Sequence, residues 1–306
     1  MSNKDIYREF ANKNSLPIFF MPWWLDTVAG DNWDVVIYNH KGKIMGVFPY
    51  GFERKIYGNL IYNPIFSNRL GPLIFFDPTQ KGNRRLSFEK KAYHELIDQL
   101  PKFFILKMGF YYNFQNWLPF YWKGFSQTTM YSYEIDVESN FYENLSSPKK
   151  RYYRKAEIET EIDEDLDASL FYDLHKKFLA KRGKKIHFGK EVFVNTVNKS
   201  CEMGHGKIFY ATKNGVIVSI IFFVWDRERA YYLIGSLNPE VKGSSFLTLL
   251  IDKAIKFLKG KTKIFDLEGS MIENVEENCR NLGGRQISYH SICKYNGIAK
   301  LKLLRR

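Results

Sequence analysis

The two halves of this 306-residue chain carry the same short motifs in the same order. Trp24-Leu-Asp-Thr-Val28 returns as Phe193-Val-Asn-Thr-Val197, and Val36-Ile-Tyr-Asn-His-Lys-Gly42 returns as Phe209-Tyr-Ala-Thr-Lys-Asn-Gly215. Asn63-Pro64 answers Asn238-Pro239, Lys81-Gly82 answers Lys242-Gly243, and Leu96-Ile97-Asp98 answers Leu250-Ile251-Asp252. Gly124-Phe-Ser-Gln127 answers Gly283-Gly-Arg-Gln286. The offsets drift only from 250 − 96 = 154 to 238 − 63 = 175. An ordered series of this kind reads as a tandem duplication of one unit of roughly 140 to 150 residues. The junction is expected near Ser146-Ser147-Pro148, which gives domains of residues 1–145 and 146–306.

Within each unit the order reads helix, hairpin, strand, Gly-led helix, strand, Gly turn, final strand. Lys41-Gly42 and Asn214-Gly215 are tight-turn dipeptides between strand-like runs, the signature of a hairpin. Phe246, Leu247, Leu250, Ile251, Ala254, Ile255 and Leu258 recur at helical spacing, so a helix is expected from about Ser244 to Leu258. Strands are expected near Lys263–Leu267 and Ile287–Tyr295. A helix between two neighbouring strands implies a right-handed crossover and local parallel pairing. The fold class is therefore α+β (mixed α/β), each unit a central mixed sheet flanked by helices.

Composition narrows the functional classes. Hydrophobic residues make up 45% and aromatic ones 17%, too much apolar content for a disordered chain. The longest nearly apolar run, Val216 to Trp225, has ten residues, about half of a membrane-spanning helix. No apolar stretch near Met1 resembles a signal peptide. Three cysteines without a Cys-x-x-Cys pair argue against a disulfide framework or a zinc ribbon. A cytoplasmic protein is expected. The net charge of +13 is one footprint of phosphate-bearing partners and equally of a solvated basic surface. Lys149, Lys150, Arg151, Arg154 and Lys155 cluster and are followed by an acidic stretch, while the other cations read as dispersed.

Familiar catalytic signatures are absent or fail on context. Gly260-Lys261-Thr262 follows a helix rather than opening one, so it is no phosphate-binding loop. Ser146-x-x-Lys149 is expected by chance in a Lys-rich chain, and the six histidines show no metal-ligand spacing. Neither covalent nor metal-dependent catalysis is favoured.

The remaining candidate is Asp266-Leu-Glu-Gly-Ser270. Read as a strand, it places Asp266, Glu268 and Ser270 on one face. A carboxylate there can take the proton that an amine loses when it attacks a carbonyl. The competing role for Asp266 is to brace the turn at Gly269. Lys242-Gly243-Ser244-Ser245 sits where a strand turns into a helix, whose exposed amides suit an anion or simply a serine cap. Lys294 can neutralise an oxyanion, and Tyr289 can donate a proton to a leaving group; both are also ordinary strand residues. The paired aromatics Trp23, Trp24, Tyr111, Tyr112, Trp117 and Trp122 are expected in the core.

The element order resembles that of the GNAT acyltransferases, and two such units in tandem resemble the Fem-type (FemABX) aminoacyltransferases. Trp23-Trp24-Leu-Asp, Leu145-Ser-Ser-Pro-Lys-Lys-Arg-Tyr-Tyr-Arg-Lys-Ala156, Phe265-Asp-Leu-Glu-Gly-Ser270, Gly283-Gly284 to Tyr289 and Cys293-Lys294-Tyr295 carry the resemblance over nearly the whole chain. It implies an N-acyltransferase in which an amine attacks an activated acyl carbonyl in the groove between the units. It also implies a donor held at Lys242, Gly243, Ser244 and Ser245. The GNAT pattern has Gly or Ala where this chain has Ser245, which sets aminoacyl-tRNA beside acyl-CoA as the donor substrate; no cofactor is firmly implied. Arg151, Arg154 and Lys155 fall where Fem-type proteins face a nucleotide-sugar peptidoglycan precursor, and Arg suits a diphosphate. The first unit has Leu106-Lys-Met-Gly109 in place of the acid pair and is expected to be the non-catalytic half. The stretch from Phe171 to Arg182 is too short for the tRNA-contacting helical arm of some Fem-type members. Two other readings stay open: a non-catalytic GNAT-fold protein that binds RNA or a nucleotide sugar, and a CoA-dependent acetyltransferase.

Overall fold

A computed structural model describes residues 1–56, 58–76, 79, 81–241 and 245–297. The chain divides into two compact units, residues 1–130 with 288–306 and residues 131–287.

The first unit opens with α1 (Asn3–Lys13), a short 3-10 turn at Ile18–Phe20 and α2 (Pro22–Ala29). Ser2 and Asp5 close a reciprocal capping box on α1, satisfying two amides that a helix start leaves open. Strands β1 (Trp33–His40), β2 (Lys43–Lys55), β3 (Gly58–Tyr62) and β4 (Leu73–Ile74) follow, then α3 (Gly82–Asp98), β5 (Phe103–Gly109) and α4 (Leu118–Trp122). Its core is aromatic. Phe110 meets Phe114 at 4.8 Å and Phe120 at 5.2 Å between ring centres, edge to face, the arrangement ring quadrupoles prefer. Trp24 is fully buried as expected, but Trp122 is 54% exposed and stacks on His94.

Strand β6 (Ser126–Asp136) leads into the second unit. There α5 (Phe141–Asn144), α6 (Ser147–Glu159), β7 (Glu161–Glu164), α7 (Ala168–Ala180) and α8 (Lys190–Glu202) precede β8 (Gly206–Lys213), β9 (Val216–Trp225) and β10 (Arg229–Leu237). Helix α9 (Phe246–Leu258), β11 (Ile264–Asp266), α10 (Glu273–Asn281) and β12 (Arg285–Tyr295) complete the order. The stripe read from the sequence is what α9 buries: Phe246, Leu250, Ile251, Ala254, Ile255 and Leu258 join one core with Phe223 and Phe265.

The repeat survives in fine geometry. Lys41 and Gly42 turn the β1–β2 hairpin at φ 50° and 75°, and Asn214 and Gly215 turn β8–β9 at φ 51° and 74°. Two successive left-handed residues make the turn whose twist matches that of paired strands. Each hairpin also shifts register at the same place, between Tyr38 and Asn39 and between Ala211 and Thr212 (211 − 38 = 173). Past the hairpin both units pair two strands in parallel across a helix, β3 with β5 and β10 with β11.

The two units differ at that parallel pair. In the first, β5 accompanies β3 from Asn59 to Tyr62. In the second, β11 accompanies β10 only over Arg229–Tyr231, while β10 continues to Leu237. The ladder between β10 and β9 also skips Leu233, a bulge that bends β10 where it leaves β11.

The unit boundary differs from the expected cut after residue 145, because β6 and β12 each begin in one unit and end in the other. Residues 134–136 of β6 pair with β11, and residues 291–295 of β12 pair with β5. Hydrogen bonding to these strands draws 131–145 into the second unit and 288–297 into the first.

Two glycines at equivalent places, Gly109 and Gly269 (269 − 109 = 160), allow a close backbone approach. A Cβ at 109 would lie 2.5 Å from the Asn68 carbonyl oxygen, and one at 269 would lie 2.3 Å from Ser132 Cα. Gly269→Ala therefore has to separate two backbones, and we expect it to cost about 2–3 kcal/mol in urea unfolding. A change below about 0.5 kcal/mol would mean that the two segments are not in contact.

Candidate functional site

The expected acid face on one strand does not form. Strand β11 ends at Asp266, and Glu268 adopts a left-handed backbone with φ 58°. The cause is local: Asp266 Oδ1 accepts the backbone N–H of Glu268 at 2.9 Å, an Asx-type turn that competes with continuing the strand. Alternation stops there, so Asp266, Glu268 and Ser270 do not share a face.

Asp266 is instead the centre of a buried network. It is 0% exposed, accepts the Ser132 hydroxyl at 2.6 Å and pairs with Arg229 Nη1 at 3.2 Å. Arg229 also reaches Glu134 at 2.9 Å, and Arg285 contacts the other oxygen of Glu134. Glu134 is itself 5% exposed. Strands β6, β10 and β11 thus each supply a charge to one cluster, and the bracing role weighed for Asp266 is the one these contacts describe. Glu268 and Ser270, half-buried, follow directly at the point where β10 and β11 part.

Beside that divergence lies a cavity of about 190 Å³. Tyr232 and Leu237 of β10, Ser245, Leu247, Thr248 and Ile251 at the start of α9, and Leu267 after β11 line it; α10 contributes Val275, Asn278 and Cys279. Burial pushes the Cys279 thiol up to about 11, with Asp266 and Glu276 adding to the effect, so the sulfur is protonated at neutral pH. Burial also raises the Tyr232 hydroxyl above its usual range. Neither side chain is a nucleophile at neutral pH.

Ser245 stands at the N-cap of α9 but makes no capping hydrogen bond with its side chain, so the ordinary serine cap is not what it forms. The first turn of α9 lies beside the cavity, and among the described residues no side chain caps it. Lys242, Gly243 and Ser244, the rest of the expected donor turn, lie outside the described residues. A wider, shallower depression of about 830 Å³ lies at the other end of β11, where Lys263 pairs with Glu228.

The remaining candidates are scattered. Arg151, Arg154 and Lys155 lie exposed on α6. Arg151 donates to the Tyr152 hydroxyl, Arg154 stacks on Tyr142 at 5.6 Å, and Lys155 pairs with Glu159 at 3.8 Å. Tyr289 and Lys294 belong to the part of β12 in the first unit. Tyr289 packs on the Arg69 guanidinium, and Lys294 donates to the Lys123 carbonyl at 2.6 Å.

Two features escaped the sequence reading. Lys149 lines the cavity and donates to Asn278 Oδ1 at 2.7 Å, and burial lowers the pKa of its ammonium. Its signal was only membership of a basic cluster; Asn278 is 129 positions away. Nor are the other cations dispersed: residues 176–190 hold seven of them (Lys176, Lys177, Lys181, Arg182, Lys184, Lys185, Lys190) and no acid. A count of charge per window would have found that run.

Arg229→Met leaves two buried carboxylates without their shared cation, and removing one partner of a buried pair costs about 3–5 kcal/mol. We expect a loss of that size in urea unfolding, partly restored by adding Asp266→Asn. Equal stability of Arg229→Met and the parent protein would show that the cluster is solvated.

The comparisons with known proteins agree with this architecture. The acetyltransferase (GNAT) domain family matches residues 139–268. No curated protein matches the sequence. Among solved structures, FemX is similar over 99% of this chain and 98% of its own, with a TM-score of 0.69 and 11% identity. L-PGS from Bacillus licheniformis covers 98% and 93%, with a TM-score of 0.55 and 10% identity. A tandem GNAT protein from the clavulanic acid biosynthesis pathway covers 96% and 94%, with a TM-score of 0.53 and 9% identity. Identities this low speak for fold alone. Among the described residues, no helix is long and apolar enough to cross a membrane. Residues 139–268 thus resemble a GNAT acetyltransferase domain, and the chain has the fold of FemX and of a tandem GNAT protein.

Proposed function

We propose that the second unit transfers an acyl group from an activated donor to an amine, and that the donor's arm enters the cavity where β10 and β11 diverge. The observation that carries this reading is the pairing of that divergence with a helix start that no described side chain caps: a slender, partly apolar arm fits the cavity while the α9 amides take its anionic end. The first unit, whose β3 and β5 stay paired and whose Leu106-Lys107-Met108 offers no acid, serves as the non-catalytic half.

In the reaction the amine nitrogen forms a bond to the acyl carbon, the bond from that carbon to the donor's sulfur or oxygen breaks, and the leaving group takes up a proton. The amine's own proton goes to Glu268, directly or through a water. Asp266 acts as a positioning residue, since its carboxylate holds the Glu268 amide and fixes the left-handed turn. The contacts of Lys294 and Tyr289 support holding roles in the first unit, so the chemical step rests on Glu268. Arg151 and Arg154 are the acceptor-side cations: among the described residues neither is paired with a carboxylate, which leaves them for an anionic acceptor such as a nucleotide sugar.

For the donor, acyl-CoA is the first reading and aminoacyl-tRNA the second. The second is favoured by the seven cations of residues 176–190, because a dense basic run without acids suits a polyphosphate backbone. Thermal stabilisation by acetyl-CoA, bulk aminoacyl-tRNA and UDP-linked sugars separates these readings. A ligand at about 100 times its Kd should add about 2.7 kcal/mol. Glu268→Gln is then expected to lower kcat by about 10²–10⁴ with donor binding unchanged. Full activity in that variant would remove Glu268 as the base, and silence from every ligand would favour a binding protein that has lost the chemistry.

A further inference from the structure

The cavity of the second unit is apolar on most sides, with Leu237, Leu247, Ile251, Leu267, Val275 and Leu282 in its wall. One charge interrupts it. Lys149, in the first turn of α6, donates to Asn278 Oδ1 of α10 at 2.7 Å, and both side chains line the space. An ammonium carries three N–H bonds, so this contact uses one and leaves two. The same contact orients the Asn278 amide: with Oδ1 taken by Lys149, the Nδ2 hydrogens are what the amide can still offer. Two donor groups, one of them cationic, therefore stand together in a wall whose other polar groups, on Tyr232, Ser245, Thr248 and Cys279, carry no charge. No acid is among the lining residues, and among the described residues no carboxylate pairs with Lys149.

Charge and burial together restrict what can fill this space. The lowered pKa of the ammonium reflects water already removed from it. A ligand that displaces the remaining water must supply a compensating charge, or the ammonium is left buried and unpaired. An apolar acyl chain does not supply it, and a cationic one repels it. A carboxylate satisfies both the ammonium and the amide N–H groups.

We propose that Lys149 and Asn278 form a carboxylate-binding subsite in this cavity, so that the transferred acyl group bears a carboxylate beyond its reacting carbonyl, as a dicarboxylic monoacyl group does. The inference rests on the reading of the cavity as the donor site. Within that reading the distal carboxylate is a spectator: it fixes how far the donor enters and exchanges no proton or bond.

Isothermal titration of the full chain with glutaryl-CoA, butyryl-CoA and free glutarate tests it, in the parent protein and in Lys149→Met, Lys149→Arg and Asn278→Asp. The expected result is at least tenfold tighter binding of glutaryl-CoA than of butyryl-CoA. That preference should disappear in Lys149→Met, return in Lys149→Arg, and vanish in Asn278→Asp, where an internal carboxylate takes the ammonium. Equal affinity for the two thioesters in the parent protein overturns the subsite and leaves the donor reading standing. Binding of neither thioester overturns the thioester donor reading instead. Free glutarate then decides the subsite: binding that Lys149→Met abolishes upholds it, and no binding overturns it.

Discussion

The second unit depends on a charge held where water does not reach. Asp266 and Glu134 are both buried, and Arg229 touches both, so three strands are joined by groups that are costly to bury singly and stable only together. Backbone pairing between β10 and β11 covers only three residues. The ionic cluster spans that short ladder, from Arg229 in its first pair to Asp266 in its last, the pair after which the strands part. An apolar cluster of the same volume would hold the sheet but would not set that point, because apolar contacts tolerate sliding.

That constraint also explains the contrast between the halves. The first unit has Leu106-Lys107-Met108 at the place of Asp266-Leu267-Glu268, and there β5 runs alongside β3 from Asn59 to its last residue, Tyr62. Where an acid replaces Leu106, its side chain competes for the next turn's amide and the strand stops. One substitution in a duplicated pattern thus accompanies the change from a parallel pair that runs to the end of β3 to one that stops short of the end of β10.

Most of the fold was legible because it is written locally. The Lys41-Gly42 and Asn214-Gly215 turns need left-handed residues, and the α9 stripe shows its period in thirteen residues. The exchange of β6 and β12 was not legible, since strand order depends on partners more than a hundred residues apart. The site was legible in part. Asp266 and Glu268 stood out as acids in an apolar setting, but alternation misplaced them, because a side chain bonding to its own backbone follows no period. Lys149 was hidden for another reason: its meaning comes from Asn278 on another helix and from the cavity they share.

The path of β12 bears on how the chain folds. Residues 291–295 pair with β5, whose last residue is Gly109, so a gap of 291 − 109 = 182 residues separates partners in one ladder. During synthesis at about 5–20 residues per second, the first unit waits many seconds with the edge of β5 unpaired. The second unit has most of its strands by then and can form beforehand. An unpaired edge in a waiting unit is a place for wrong pairing, and β5 carries Lys107 in its exposed row, the kind of charge that discourages another strand from joining there.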